Sequence, residues 1–319
     1  MLRRFLLLLG FLAFALNAQG QNFPNKPVRI IVPFPPGGGT DVVARAVAPK
    51  MSQVLGVPVV VQNHPGAGSS LGTELAARSP ADGYTLLLVS SATAINNAFD
   101  KTISWDAQRD FQPVALLLFN QSLLVAHPSV PFSTVAELLA FAKANPNKLA
   151  YGSSGAGSSA HFGMELFKSS AGIDVLHVPY KGAAPAMNDL LGGQVQLMLS
   201  DISVVLPHVR AGKVKVLGIG SPKRFAATPD VPTINEAGVP GFEVSGLIGL
   251  AAPAGTPASV VARLNEAANE AVKDPKIREQ LVSMAMIIEG GTPERLGQVL
   301  QADLRKWGDL IKKANLQKE

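Results

Sequence analysis

The stretch that most limits what this chain can fold into is residues 28–47, VRIIVPFPPGGGTDVVARAV. Val28, Ile30, Ile31 and Val32 form a short β-branched run, the mark of a buried strand. Pro33-Phe34-Pro35-Pro36 ends it, because proline has no N–H to give a sheet ladder. Gly37, Gly38 and Gly39 follow, and Thr40 or Asp41 is placed to cap a helix over about 42–55. Strand, glycine loop and capped helix together bring bare backbone N–H groups up to an anion. The arrangement returns over a hundred residues later, as a short strand at 149–151, a glycine-serine loop at 152–159 and a helix at 161–171. Two equivalent loops suit a protein of two lobes with a cleft between them.

The rest of the chain continues the alternation. Apolar runs predict strands at 57–62, 84–89, 111–118, 123–126, 175–178, 195–199 and 214–219. Helices are expected over 71–77, 134–144, 182–191, 257–272, 275–284 and 293–314. Residues 63–70, NHPGAGSS, form a further glycine loop, and Ser90-Ser91-Ala92-Thr93 reads as a small polar segment. Such alternation implies α/β lobes, each a mainly parallel sheet flanked by helices.

Residues 1–20 read as a cleaved secretory leader. Arg3 and Arg4 precede an apolar run of 12 residues, and Ala18-Gln19-Gly20 offers a small-x-small cleavage site. That run is too short to span a bilayer comfortably. Gln21 is then the expected mature N-terminus of an exported chain. The chain has no cysteine, which excludes disulfides, thiolate chemistry and cysteine-ligated metals. An exported chain of this kind must be held by its core, and 319 residues can supply one as two domains. The formal charge is +5; removing Arg3 and Arg4 with the leader lowers it by two, to +3. The charges are dispersed, without the basic stripe that nucleic acid requires. His64, His127, His161, His177 and His208 lack metal-ligand spacing, so no metal or cofactor is expected.

Eight motifs occur in order behind the leader. They are Pro33-Phe34-Pro35-Pro36-Gly37-Gly38 with Asp41 and Arg45; Asn63-His64-Pro65-Gly66-Ala67-Gly68; Pro80-Ala81-Asp82-Gly83-Tyr84-Thr85-Leu86; and Asp110-Phe111-Gln112-Pro113-Val114. The second half adds Tyr151-Gly152-Ser153-Ser154-Gly155-Ala156-Gly157; His177-Val178-Pro179-Tyr180-Lys181-Gly182; Pro232-Thr233 with Glu236-Ala237-Gly238; and Ala252-Pro253-Ala254-Gly255-Thr256-Pro257. With these the chain resembles the Bug-type periplasmic solute receptors, the substrate-binding components of tripartite tricarboxylate transporters. The resemblance implies a two-domain periplasmic-binding-protein fold, a type II-like Venus flytrap. Its first lobe would be discontinuous, 21–123 plus 245–319, and its second 124–244, with crossings near Leu124 and Val244. It further implies capture of a small organic acid and delivery to membrane permease subunits, with no catalytic residue. A monomer is expected. The chain departs from the family's common Glu-Asn-Arg-Pro at Gln62-Asn63-His64-Pro65, and has Leu247 where a Trp is often found.

The candidate ligand-binding residues follow from the two loops. Phe34, Pro36, Gly37, Gly38, Gly39, Thr40 and Asp41 belong to the first. Ser153, Ser154, Gly155, Ala156, Gly157, Ser158 and His161 belong to the other. Ser90, Ser91 and Asp201 follow strands and complete the set. Glycine permits close approach and φ > 0, and hydroxyls add donors. Asp41 and Arg45, four apart on one helix, also suit a surface pair. His161 suits ligand or scaffold equally, while His177 suits the scaffold. Asp201 suits either a helix cap or a contact to a ligand ammonium or hydroxyl.

Three other readings bear on the same residues. Gly155-Ala156-Gly157-Ser158-Ser159-Ala160 fits a dinucleotide fingerprint, but Asp174 precedes its strand instead of ending it. An exported enzyme acting on a carboxylate or ester would need a base beside a nucleophile, and no such pair occurs. A solute sensor for signalling would satisfy the same motifs as a transport receptor.

Overall fold

The computed structural model describes residues 23–225, 228–313 and 316; the expected leader lies outside them. The chain opens as β1 (Val28–Val32), α1 (Gly39–Leu55), β2 (Val59–Asn63), α2 (Ser70–Ala77), β3 (Thr85–Ser90) and α3 (Ser91–Phe99). A 16-residue strand, β4 (Phe111–Ala126), then leads to α4 (Val135–Ala144). Next come β5 (Ala150–Ser153), α5 (Ser159–Ala171), β6 (Leu176–Pro179), α6 (Ala183–Leu191), β7 (Leu197–Asp201), α7 (Ile202–Arg210) and β8 (Lys215–Ile219). The chain closes with β9 (Ser245–Pro253), α8 (Ala258–Lys273), α9 (Pro275–Ser283), β10 (Ile287–Ile288) and α10 (Pro293–Lys313).

These strands form a curled mixed sheet in the order β2-β1-β3-β9-β4-β7-β5-β6, with β8 and β10 both on β4. Each lobe has three parallel strands, β2-β1-β3 in one and β7-β5-β6 in the other. The long strands that join the lobes run antiparallel to their neighbours. Each lobe keeps the mainly parallel set that alternation predicted, and a crossing strand runs against it. The crossing strands are β4 and β9, which are not members of βαβ units.

β4 is one strand where the sequence suggested two. Phe111 to Gln121 pair with β9, and Ser122 to Ala126 pair with β7. The buried polar triplet Asn120-Gln121-Ser122 marks this change of partner. On the return, Val244 N–H still donates to the Gly220 carbonyl, at 2.6 Å, while Ser245 already pairs with Gln121.

The buried strands explain the apolar runs. Val28, Ile30, Ile31 and Val32 have no exposed surface, because helices cover both faces of the sheet. α1 turns Val43, Val47, Met51 and Leu55 inward at helical spacing, toward a core shared with Leu264 and Ala268 of α8. That helix stops where Gly56 adopts φ 74, a left-handed geometry suited to glycine. Another core runs from one lobe into the other. Within it Phe99 meets Phe162 edge to face, with ring centroids 4.8 Å apart.

Candidate functional site

Five helices begin at one cavity. The residues that precede them are Gly38 for α1, Ser90 for α3, Ser158 for α5, Gly182 for α6 and Asp201 for α7. All five line a cavity of about 200 Å³. First-turn N–H groups have no partner inside their own helix, and each helix start carries roughly half a positive charge. Two of the helices belong to the first lobe and three to the second, so both lobes present positive ends to the same space.

Local sequence explains how each loop holds its shape. In the first, Asp41 points away from the cavity and braces the loop. Its carboxylate accepts from Gly37 N–H at 2.9 Å, Asn63 Nδ2 at 2.8 Å and Arg45 Nε at 3.0 Å. Burial opposes its charge, but these donors outweigh burial and hold the carboxyl below its usual range. Asp41 therefore does not cap α1; the helix starts three residues earlier than expected, behind Gly38.

In the other loop, Ser158 caps α5 by accepting from His161 N–H at 3.3 Å. A stack of rings supports the loop from within the lobe. Tyr151 lies on His177, and His177 lies on His161 with centroids 4.1 Å apart. His177 Nε2 meets Ser153 Oγ at 2.7 Å, and Gly157 N–H donates to His161 Nδ1 at 3.3 Å. Burial pushes both imidazoles down to about 4, and His161 and Lys168 nearby push His177 the same way. Neutral rings can therefore accept these bonds.

Of the sequence candidates, Phe34, Pro36, Gly38, Gly39, Thr40, Ser90, Ser91, Ser154, Ser158 and Asp201 line the cavity. Gly37, Asp41, Ser153, Gly155, Ala156, Gly157 and His161 stand outside its wall. Gly37, Asp41, Ser153, Gly157 and His161 make the bracing bonds just described. Gly155 and Gly157 supply φ values of 128 and 81 that the loop requires. Ala156 is exposed and faces the first lobe across the cleft: a Cβ on Gly68 would stand 2.3 Å from its carbonyl.

The wall also contains Asn120, Lys181, Gly182, Ser200, Gly246 and Leu247, which the site reading missed. Asn120 had left a signal, as a polar interruption of an apolar run. Lys181-Gly182 was part of a motif but was given no place in the site. Leu247 stood out only through the resemblance, as a departure from a common Trp; it is 1 % exposed, and its N–H donates to Ser91 Oγ at 3.2 Å. Burial lifts the Asp201 carboxyl to about 6, with a hydrogen bond from Asn120 acting the other way. Among the described residues, no group of His, Asp or Glu is placed to hold a metal ion.

The lobes also touch around the cavity. A Cβ on Gly182 would lie 3.2 Å from Pro35, and one on Gly39 would lie 2.8 Å from Asp201 Oδ2. Two α/β lobes joined by crossing strands, with helix starts facing a shared cleft, define the class of periplasmic binding proteins.

The chain belongs to the tripartite tricarboxylate transporter receptor family, whose model matches residues 43–316. It is 36 % identical over 300 residues to protein BugT of Bordetella pertussis, covering 93 % of this chain and 92 % of that one. The structure of R. palustris Rpa4515 with adipate has a TM-score of 0.88 at 33 % identity, covering 92 % of this chain and 99 % of that one. MatC (Rpa3494) from Rhodopseudomonas palustris with bound malate has a TM-score of 0.86 at 34 % identity, covering 91 % and 100 %.

Proposed function

We propose that this chain is an exported receptor that captures a small carboxylate-bearing solute between its lobes. It then hands the solute, unaltered, to the membrane subunits of a tripartite transporter, and it acts as a monomer. The observation that carries this reading is the convergence of five helix starts, from both lobes, on one cavity. Relatives of the same fold hold adipate and malate, which supports an acid as the cargo.

Backbone N–H groups and serine hydroxyls suit a carrier. Each hydrogen bond contributes about 0.5–1.5 kcal/mol net, so several reach the roughly −8 kcal/mol of a micromolar complex. Such a complex holds its cargo and still releases it to a partner. Closure follows from the ligand's preference for the closed form.

The reading is tested by a thermal-shift screen of small carboxylic acids against the mature chain. An acid at 100 times its Kd should stabilise the fold by about 2.7 kcal/mol. The acid should be recovered chemically unchanged after long incubation, and deleting the gene should abolish its uptake. Turnover of the acid, or no stabilisation by any acid, would contradict the proposal.

A further inference from the structure

Among the described residues, the cavity wall contains two ionisable side chains, Lys181 and Asp201. Lys181 is exposed, as expected of a charge at a rim. Asp201 is half-buried. It stands at the end of β7, directly across from the first residue of α1. A Cβ on Gly39 would lie 2.8 Å from Asp201 Oδ2, 3.0 Å from Asn120 Nδ2 and 3.1 Å from Ser203 Oγ.

Its bonding there is incomplete. Although Asp201 precedes α7, its side chain makes no capping bond to that helix. Asn120 supplies the hydrogen bond that steadies its charged form. Asn120 is itself 2 % exposed, and its Oδ1 has no partner. Ser203 Oγ at the same corner is a donor without a partner, yet the lone pairs of the Asp201 carboxylate and of Asn120 Oδ1 still exceed the donors there, while the Ser154, Ser158 and Lys181 side offers donors. A dicarboxylate would bring a second anion against Asp201, and like charges at close range disfavour one another. A cavity built around acceptors that lack donors discriminates best through the donor a ligand brings.

We infer that Asp201 makes this cavity selective for an acid whose far end carries a hydrogen-bond donor, an amino or hydroxyl group, over a dicarboxylate of equal length. The inference rests on the carboxylate-receptor reading and narrows it. The ligand's carboxylate lies toward Ser154 and Ser158, and its donor meets Asp201 beside Gly39.

Titration calorimetry at pH 8 tests this with butanedioate, 4-hydroxybutanoate and 4-aminobutanoate, and with their five-carbon counterparts. The wild-type chain should bind the better donor-ended acid at least about tenfold more tightly than the dicarboxylate of the same length. D201N should erase most of that ratio while keeping the apo melting temperature. If D201N does not fold, the wild-type ratio alone decides. A dicarboxylate that binds as tightly as its donor-ended counterparts overturns the inference, as does a ratio that a folded D201N leaves intact. If no acid of either series binds while another carboxylic acid stabilises the fold, this inference falls and the receptor reading stands; if no carboxylic acid stabilises it, both fall.

Discussion

Asn96 Nδ2 stands 2.8 Å from the carbonyl of Gly68 and 3.3 Å from that of Gly157, so one buried amide ties a loop of the first lobe to a loop of the second. A Cβ on Gly157 would come within 2.6 Å of Asn96 Oδ1, and the contact therefore needs glycine. The residue sits in α3, one turn into the helix whose start lines the cavity. Closure of the lobes and formation of the site thus share one element.

Asn96→Ala should loosen the closed form. Losing one such bond costs about 0.5–1.5 kcal/mol, so ligand affinity should fall roughly 2- to 12-fold. Small-angle scattering of the unliganded variant should give a larger radius of gyration than the wild type. An unchanged radius and affinity would show that this contact does not hold the lobes together.

Gly39→Val should block the cleft from the opposite side. Its side chain would run into Asp201, Asn120 and Ser203. At Gly38, by contrast, the nearest atom to an added Cβ is the Pro35 carbonyl at 3.9 Å. Calorimetry should show a loss of at least about tenfold in affinity for Gly39→Val, and a smaller loss for Gly38→Ala. The reverse order would contradict the geometry described for this wall.

Ser91 joins the cavity to the C-terminal helix. Its Oγ donates to Asp303 Oδ2 at 2.5 Å and accepts from Leu247 N–H at 3.2 Å. Burial raises the Asp303 carboxyl, and Ser91 acts against that rise. Ser91→Ala leaves a buried carboxylate short of a donor, at a cost of about 1–3 kcal/mol. Calorimetric Tm should fall by roughly 2–10 °C for a chain of this size, even without ligand.

Acid should destabilise the fold through the stacked histidines. Unfolded, His161 and His177 take up protons near 6.5; folded, they do so only near 4. Between those values the unfolded chain binds more protons, so stability falls as pH drops through that window. Asp201, raised from 3.8 to about 6, opposes this over part of the window. Asp303, which burial also raises, opposes it too, so the histidines are read at the upper end of the window, where Tm should fall from pH 7 to pH 6. His177→Gln should flatten that slope; an equal slope in both proteins would contradict the assignment.

Much of this architecture is written locally. The β-branched run, prolines and glycines of 28–39 specify a strand, a stop and a helix start without tertiary help. What escaped was written weakly. α3 begins Ser-Ala-Thr-Ala, with small and β-branched polar residues whose helix propensity is modest, so Ser90 and Ser91 looked like loop. α7 carries Val204, Val205 and Pro207, which argue against a helix, yet packing of Ile202, Val205 and Leu206 sustains it. β9 contains Gly246 and Gly249, which weaken a strand signal. Gly249 is needed there, because a Cβ would meet Leu296 at 2.7 Å. Asn120 and Leu247 reach the cavity only because two strands far apart in sequence cross between the lobes, a pairing that no local pattern encodes.

The most direct measurement is a crystal structure of the mature chain with the acid that stabilises it most. The acid should lie in the cleft with its carboxylate within hydrogen-bond distance of first-turn N–H groups or hydroxyls at Ser154, Ser158 or Gly182, and with its chemistry intact. A ligand bound outside the cleft, or one held there without contact to any of the five helix starts, would contradict the central claim.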